Sequence, residues 1–212
     1  MATPHGIFRR LTIEAYVSIV GIVLAAGSST RLGQPKQLVQ LDGELLLTRT
    51  IRVMEAAHVA RVAVVIGAQR EAVESSLGAA GQTATRLINP RWHEGMSSSI
   101  RVGIEWASTV NASGALLCVC DQPLLTTDHI NALIAAHART SEIVGSRYGG
   151  VVGVPAIFPA TAFVALCSLS GDRGARQLLT SSASIDWDDG ALDIDTPEQL
   201  AVFLDRLAQN SK

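Results

Sequence analysis

Short, almost wholly apolar runs recur along this chain, separated by stretches in which apolar residues return every three or four positions. Ser18–Leu24, Arg61–Ile66, Thr85–Ile88 and Ala115–Cys120 are runs of the first kind and predict strands, the first of them fully buried. Leu45–Ala57, with Leu46, Thr50, Met54 and Ala57 in one stripe, predicts a helix. So do Glu71–Leu77, Ser98–Ser108 with Ile100, Ile104 and Ala107 in line, and Thr127–Ala138, where Thr127 or Asp128 is the expected cap. Such alternation predicts an α/β fold, a mainly parallel sheet with helices on both faces, whose ligands sit beyond the carboxyl ends of the strands.

After about Glu142 the alternation loosens. SRYGGVVGVPAIF is extended and glycine-rich, which predicts a hairpin or loop lobe rather than another strand–helix unit. GDRGARQLLTS returns to helix, and DIDTPEQLAVFLDRL ends the fold as an amphipathic helix. There Asp195 is the expected N-cap and Glu198, three residues on, its capping-box partner. With no internal repeat, linker or low-complexity tract, the pattern predicts one domain over 18–208, preceded by a poorly ordered N-terminal extension at 1–17.

Composition narrows the classes of function. The 212 residues suffice for a substantial core, which 48% hydrophobic but only 4% aromatic content makes a core of Ala, Val, Leu and Ile. A net charge of −2 argues against a nucleic-acid binder, so any anion site is local. Val17–Ala26 is too short to span a membrane, and residues 1–18 lack a signal-peptide pattern. Of the three cysteines, Cys118 and Cys120 share one face of a strand without zinc-site spacing, and read as buried small hydrophobes of a cytoplasmic protein.

The chemistry concentrates in VLAAGSSTRLGQPKQL, 23–38, where a strand ends at Gly27 and Arg31 and Lys36 follow. A strand–glycine–helix element offers free backbone N–H groups to an anion. It is not a P-loop, because Gly33 follows Gly27 by six positions and Lys36 stands behind Pro35. It lacks the Rossmann glycine spacing, and Arg31 stands where a nucleophile elbow needs its second glycine. Asp121 follows the apolar strand ALLCVC, where a carboxylate can reach a metal ion or simply make a turn. GMSSSIR, 95–101, sets three hydroxyls at a helix start, which suits either an anion or ordinary capping.

The pattern L-A-A-G-x-S-x-R-x-G-x-P-K resembles the signature of the MobA-like nucleotidyltransferases. The likeness continues in order through NPRWHEGMSSSIRVG, CDQP, GVPAIF, SGDRGAR and DIDTPEQL. It implies a Rossmann-like three-layer α/β/α domain that joins a nucleotide to a phosphorylated acceptor and releases pyrophosphate. Within the family the chain looks most like the molybdenum cofactor cytidylyltransferase branch, because Leu24-Ala25-Ala26-Gly27 stands where the guanylyl-transferring branch usually reads L-A-G-G. Gly153-Val154-Pro155 departs from the Gly-His-Pro common in that branch, in the lobe expected to meet the acceptor.

The resemblance implies roles for particular residues. Leu24, Ala25, Ala26, Gly27, Ser28, Gly67 and Ser98 would bind the nucleotide, with Arg31 and Lys36 on the triphosphate and Lys36, Arg31 and Asp121 carrying catalysis. Asp121 would hold Mg2+ or Mn2+, with Asp195 as second ligand and Asp193 behind it; Asp195 reads equally as a helix cap. Gly95, Ser97, Ser99, Arg101, Gly153, Pro155, Gly171, Asp172 and Gly174 would line the acceptor side, although Asp172 alone reads as the cap of the helix through Leu179. The implied partners are a nucleoside triphosphate, CTP first, a molybdopterin-type acceptor and a molybdoenzyme client. A sugar-nucleotide pyrophosphorylase and a non-catalytic cofactor chaperone are the alternative readings.

Overall fold

In β1, Ile19–Ala25, successive side chains face opposite ways, and two separate apolar layers result. Ile19, Val23 and Ala25 join one, Val20, Ile22 and Leu24 the other. This is the computed structural model of the chain, which describes residues 18–78 and 83–210. The expected extension at 1–17 lies outside the described residues.

After β1 a loop leads through a 3-10 turn, Lys36–Leu38, to a minimal hairpin of β2, Gln40–Leu41, and β3, Glu44–Leu45. There follow α1 Leu46–Glu55, β4 Arg61–Ile66, α2 Arg70–Ser76, β5 Thr85–Ile88, α3 Met96–Thr109, β6 Gly114–Val119 and α4 Thr127–Thr140. The second half holds β7 Val144–Tyr148, β8 Val151–Pro159, α5 Phe163–Cys167, α6 Arg176–Leu179, β9 Ala183–Asp186 and α7 Pro197–Asn210. Seven strands form one sheet in the order β5-β4-β1-β6-β8-β7-β9, parallel through β6, with β8 antiparallel to β6 and to β7. Side chains of α1, α2 and α4 fill one layer, those of α3, α5 and α6 the other. The expected three-layer α/β/α arrangement is the one observed. Its strand order reverses between β1 and β6, which opens the crevice a ligand can use at their carboxyl ends.

The glycine-rich segment is the expected hairpin, turning at Gly149-Gly150, but both its strands belong to the main sheet. Ala156–Pro159 pairs with β6, while Val151–Gly153 pairs with β7 alone. Three expectations need correction. The cap of α4 is Thr126, whose hydroxyl accepts from the His129 amide at 3.2 Å, not Thr127 or Asp128. The capping box of α7 is Thr196 with Gln199, not Asp195 with Glu198: Thr196 Oγ1 accepts from Gln199 N at 3.3 Å and Gln199 Oε1 accepts from Thr196 N at 2.9 Å. The stretch GDRGARQLLTS is helical only as the 3-10 turn Gly171–Arg173 and the four-residue α6, and strand β9, too short for a periodic signal, follows it. Cys118 and Cys120 are buried as expected, and burial pushes their thiols up, Cys120 to about 12.

His129 lies under the hairpin, stacked on Trp187 with ring centroids 4.6 Å apart. Ser146 Oγ donates to Pro155 O at 2.6 Å and stands 2.7 Å from His129 Nε2, so Nε2 carries the hydrogen and donates to Ser146. Burial holds His129 down at about 4, below its ordinary 6.5. The unfolded chain therefore binds the proton first, and stability present above pH 6.5 is lost as pH falls toward 4, by on the order of 2 kcal/mol. Thermal unfolding across that range should show the loss, and His129→Phe, which keeps the stack but cannot titrate, should flatten it.

Candidate active site

The turn after β1 has an unusual hydrogen-bond pattern. Gln37, 1% exposed, donates from Nε2 to Ala25 O at 2.7 Å and to Gly27 O at 2.9 Å. Its Oε1 is buried and finds no donor among the described residues, a cost of about 1–3 kcal/mol. Ala26 O accepts from the Ala68 amide at 3.0 Å, and the amides of Gly27 and Ser28 donate to no backbone carbonyl among the described residues. Gly27 does not have a left-handed backbone, so the turn itself does not require glycine. A Cβ added there would meet nothing within 4 Å, which leaves that room to a ligand.

The loop then returns through Leu32, buried against Ile194 and Phe203, and delivers Lys36. Ser29 Oγ accepts from the Lys36 amide at 3.0 Å. Lys36 Nζ donates to Asp121 Oδ2 at 2.6 Å and to Asp195 Oδ1 at 2.5 Å, and Arg31 donates to Asp195 Oδ2 at 2.8 Å. Asp121 follows β6 directly. Asp195 comes from the extended segment before α7, where buried Ile194 donates its amide to Asp121 O at 3.0 Å and turns its two acidic neighbours outward. Because Thr196 caps α7, the carboxylate of Asp195 is left to the cleft.

Lys36, Asp121 and Asp195 are each less than a fifth exposed. Burial works against the Lys36 ammonium, but the charge and hydrogen bond of Asp121, then those of Asp195, outweigh it and raise its pKa. Burial also opposes ionisation of Asp195, yet Lys36 and then Arg31 hold its carboxyl below the ordinary range. Asp193 goes the other way: burial first, then the negative charges of Asp195 and Asp121, push it up, while its Oδ1 accepts from Gln199 Nε2 at 3.1 Å.

Two carboxylates that converge on one cation suit Mg2+ or Mn2+, which take their remaining oxygens from water and phosphate. Among the described residues no group of three or more His, Cys, Asp and Glu side chains is arranged to hold a metal, so the fit is to Asp121 and Asp195 as a pair.

The cleft has two further hollows. One, of about 350 Å³, is bounded by Ala26, Gly27, Ser28, Trp92, Gly95, Ser99 and Asp172. The other, of about 440 Å³, lies between Met96, Val119, Tyr148, Gly153, Val154, Gly174 and Arg176, and Leu24 and Asp172 border both. Gly95 and Ser99, grouped above with the acceptor, thus share a hollow with the nucleotide turn. Gly95, with φ +98°, is pressed against Gly171 and Asp172, and a Cβ on it would stand 2.5 Å from Asp172 Oδ1. Gly67 backs the same hollow, where a Cβ would stand 2.6 Å from Trp92 Cβ.

Other expected residues are held within the protein. Ser98 Oγ donates toward Gly95 O at 2.8 Å and Arg91 O at 2.9 Å, and Asn89 Nδ2 reaches Ser98 and Ser99. Ser97 is buried at the start of α3, and no serine caps that helix, whose N-cap is Gly95. Arg101 donates to Cys167 O and Leu169 O, and Pro155 is buried within β8. Asp172 makes no side-chain cap, since Ala175 precedes α6. Sequence reasoning passed over Gln37, Trp92, Tyr148 and Arg176. Gln37 and Arg176 lie inside motifs already singled out, and a large aromatic between Asn89-Pro90 and Gly95 was a usable signal. Tyr148 carried none.

Comparison with known proteins agrees with this geometry. Residues 21–185 match the family described as MobA-like NTP transferase domain. The chain is 32% identical over 196 residues to purine catabolism protein PucB of Bacillus subtilis (strain 168), covering 85% of this chain and 93% of that protein. It is 28% identical over 207 residues to the molybdenum cofactor guanylyltransferase of Rhodobacter capsulatus, covering 91% and 98%. Among solved structures it is similar to Rv0371c of Mycobacterium tuberculosis H37Rv, at 30% identity and a TM-score of 0.77 over 89% of this chain and 98% of that one. A complex of that protein with manganese is similar at 28% identity and a TM-score of 0.75, with the same coverage.

Lys36 occupies the point on which the two carboxylates converge, so a divalent ion bound there would have to displace its ammonium. Without nucleotide, Lys36→Met should bind Mn2+ at least about tenfold more tightly than the wild type, read from the loss of the free-ion electron paramagnetic resonance signal. Equal affinity would show that the ammonium does not hold that place.

Proposed function

The chain belongs to the MobA-like NTP transferase family, and from this we propose that its cleft transfers CMP from CTP to the terminal phosphate of a molybdopterin-type acceptor. The observation that carries the reading is the meeting of Lys36, Arg31, Asp121 and Asp195 at the carboxyl ends of β1 and β6, beside a turn whose Gly27 and Ser28 amides have no backbone partner among the described residues.

An acceptor phosphate oxygen forms a bond to the α-phosphorus as the bond from that phosphorus to the α,β-bridging oxygen breaks. Pyrophosphate leaves with the electron pair. Leu24 to Ser28 cradle the nucleoside, with Gly27 leaving the room for close approach. Lys36 and Arg31 exchange carboxylate partners for phosphate oxygens: Lys36 offers a point charge to the α-phosphate, and Arg31 a fork to the phosphates beyond it. Asp121 and Asp195 would hold a divalent ion, which would supply positive charge against that of the triphosphate. Gly153, Gly174 and Arg176 face the acceptor.

Ala26 in place of a second glycine supports CTP. The likeness to a guanylyltransferase supports GTP as the second reading, and Val154 in place of histidine leaves room for another phosphorylated acceptor. A chaperone that only binds the cofactor would not need the paired metal carboxylates.

Thermal unfolding with CTP, GTP, ATP and UTP, each with Mg2+, tests the nucleotide. A ligand at about 100 times its dissociation constant adds roughly 2.7 kcal/mol. The largest shift is expected with CTP; a larger one with GTP would select the guanylyl reading. Asp121→Ala should abolish Mg2+-dependent pyrophosphate release with an unchanged circular dichroism spectrum, and full activity in that variant would remove Asp121 from the site.

A further inference from the structure

Backbone amides that face a nucleotide's phosphates serve better when the neighbouring carbonyl oxygens, which repel anions, are engaged elsewhere. Here three successive carbonyls are engaged inside the protein. Gln37 Nε2 takes those of Ala25 and Gly27, at 2.7 and 2.9 Å, and the Ala68 amide takes that of Ala26, at 3.0 Å. The amides of Gly27 and Ser28 have no backbone partner among the described residues. Resting on the reading of Leu24–Ser28 as the nucleotide turn, we propose that Gln37 is a positioning residue for nucleotide binding. It holds two carbonyls inward so that the amides between and after them face the cleft.

The side chain itself argues for this. Gln37 is 1% exposed, and a Leu or Met of similar volume would fill the space without a buried unpaired oxygen. The amide cannot be turned round, because Oε1 would then face two carbonyl oxygens. The unpartnered Oε1 is therefore a consequence of the two donations, and burial without partners is kept in native proteins chiefly where function requires it. Gln37 also shares its 3-10 turn with Lys36, so one short element both delivers the ammonium and shapes the turn it serves.

Gln37→Met removes both donors and keeps the volume. By titration calorimetry with Mg2+ and CTP, or GTP if the wild type prefers it, the dissociation constant should rise about tenfold, measured well below the unfolding temperature of either protein. A role confined to stability would lower the unfolding temperature and leave that constant unchanged, which would overturn the inference while leaving the proposed function intact. No measurable affinity of the wild type for any of the four nucleotides would overturn the proposed function, and this inference with it. Amide hydrogen exchange of the wild type gives a test that needs no variant. Gly27 and Ser28 should gain protection on nucleotide binding, and no gain at either amide would count against the role of Gln37.

Discussion

Lys36 holds its ammonium 2.6 Å from Asp121 and 2.5 Å from Asp195, and three segments far apart in the chain meet at that point. The loop after β1 brings the lysine, the end of β6 brings one carboxylate, and the segment before α7 brings the other. Burial opposes the charged forms of Lys36 and Asp195, and their pairing in the cluster outweighs it. Together with Arg31 the three groups set two cations against two carboxylates. The cleft is thereby polar between two apolar layers, with its charges balanced within the protein.

The rest of the site follows from what must surround that cluster. Ile194 is buried and bonded to the backbone of Asp121, so the acidic residues on either side of it turn outward. Leu32 pins the loop that carries Arg31 and Lys36 onto Ile194 and Phe203. Gln37 draws the preceding turn inward from the same element that presents Lys36. Towards the hairpin the walls become apolar, with Val119, Val154 and Met96, and Arg176 is the cation facing that space. One end of the cleft is suited to phosphates and metal, the other to a larger body that carries its own charge.

Much of this was legible in the chain. The apolar runs of β1, β4 and β6 and the helices between them were read to within a few residues, because strands buried on both faces and helices with one apolar stripe leave opposite periodicities. Arg31, Lys36 and Asp195 were singled out through the resemblance to the MobA-like family, and Asp121 also by its place directly after an apolar strand. The elements that escaped were short. β2 and β3 have two residues each, α5 five and β9 four, and none shows enough of a period to mark it along the chain. The caps of α4 and α7 were each assigned to a neighbour of the residue that serves, since Thr126 and Thr127, or Asp195 and Thr196, are chemically fit for the same task.

What the sequence determined by itself was local: which segments are strand or helix, that a strand ends in a glycine turn followed by two cations, and that carboxylates follow later strands or precede the last helix. These depend on residue type and short-range spacing, which one chain displays in full. Only the tertiary structure decided how they combine. It joined Lys36 to aspartates 85 and 159 positions further along the chain, gave Thr196 the cap and so released Asp195, set Gly95 and Ser99 beside the turn of Ala26, Gly27 and Ser28, and set Gln37 to engage the carbonyls of that turn. Most of these choices depend on distances between residues far apart in the chain, and in Gln37 on which way one buried amide points. No pattern along the chain records either.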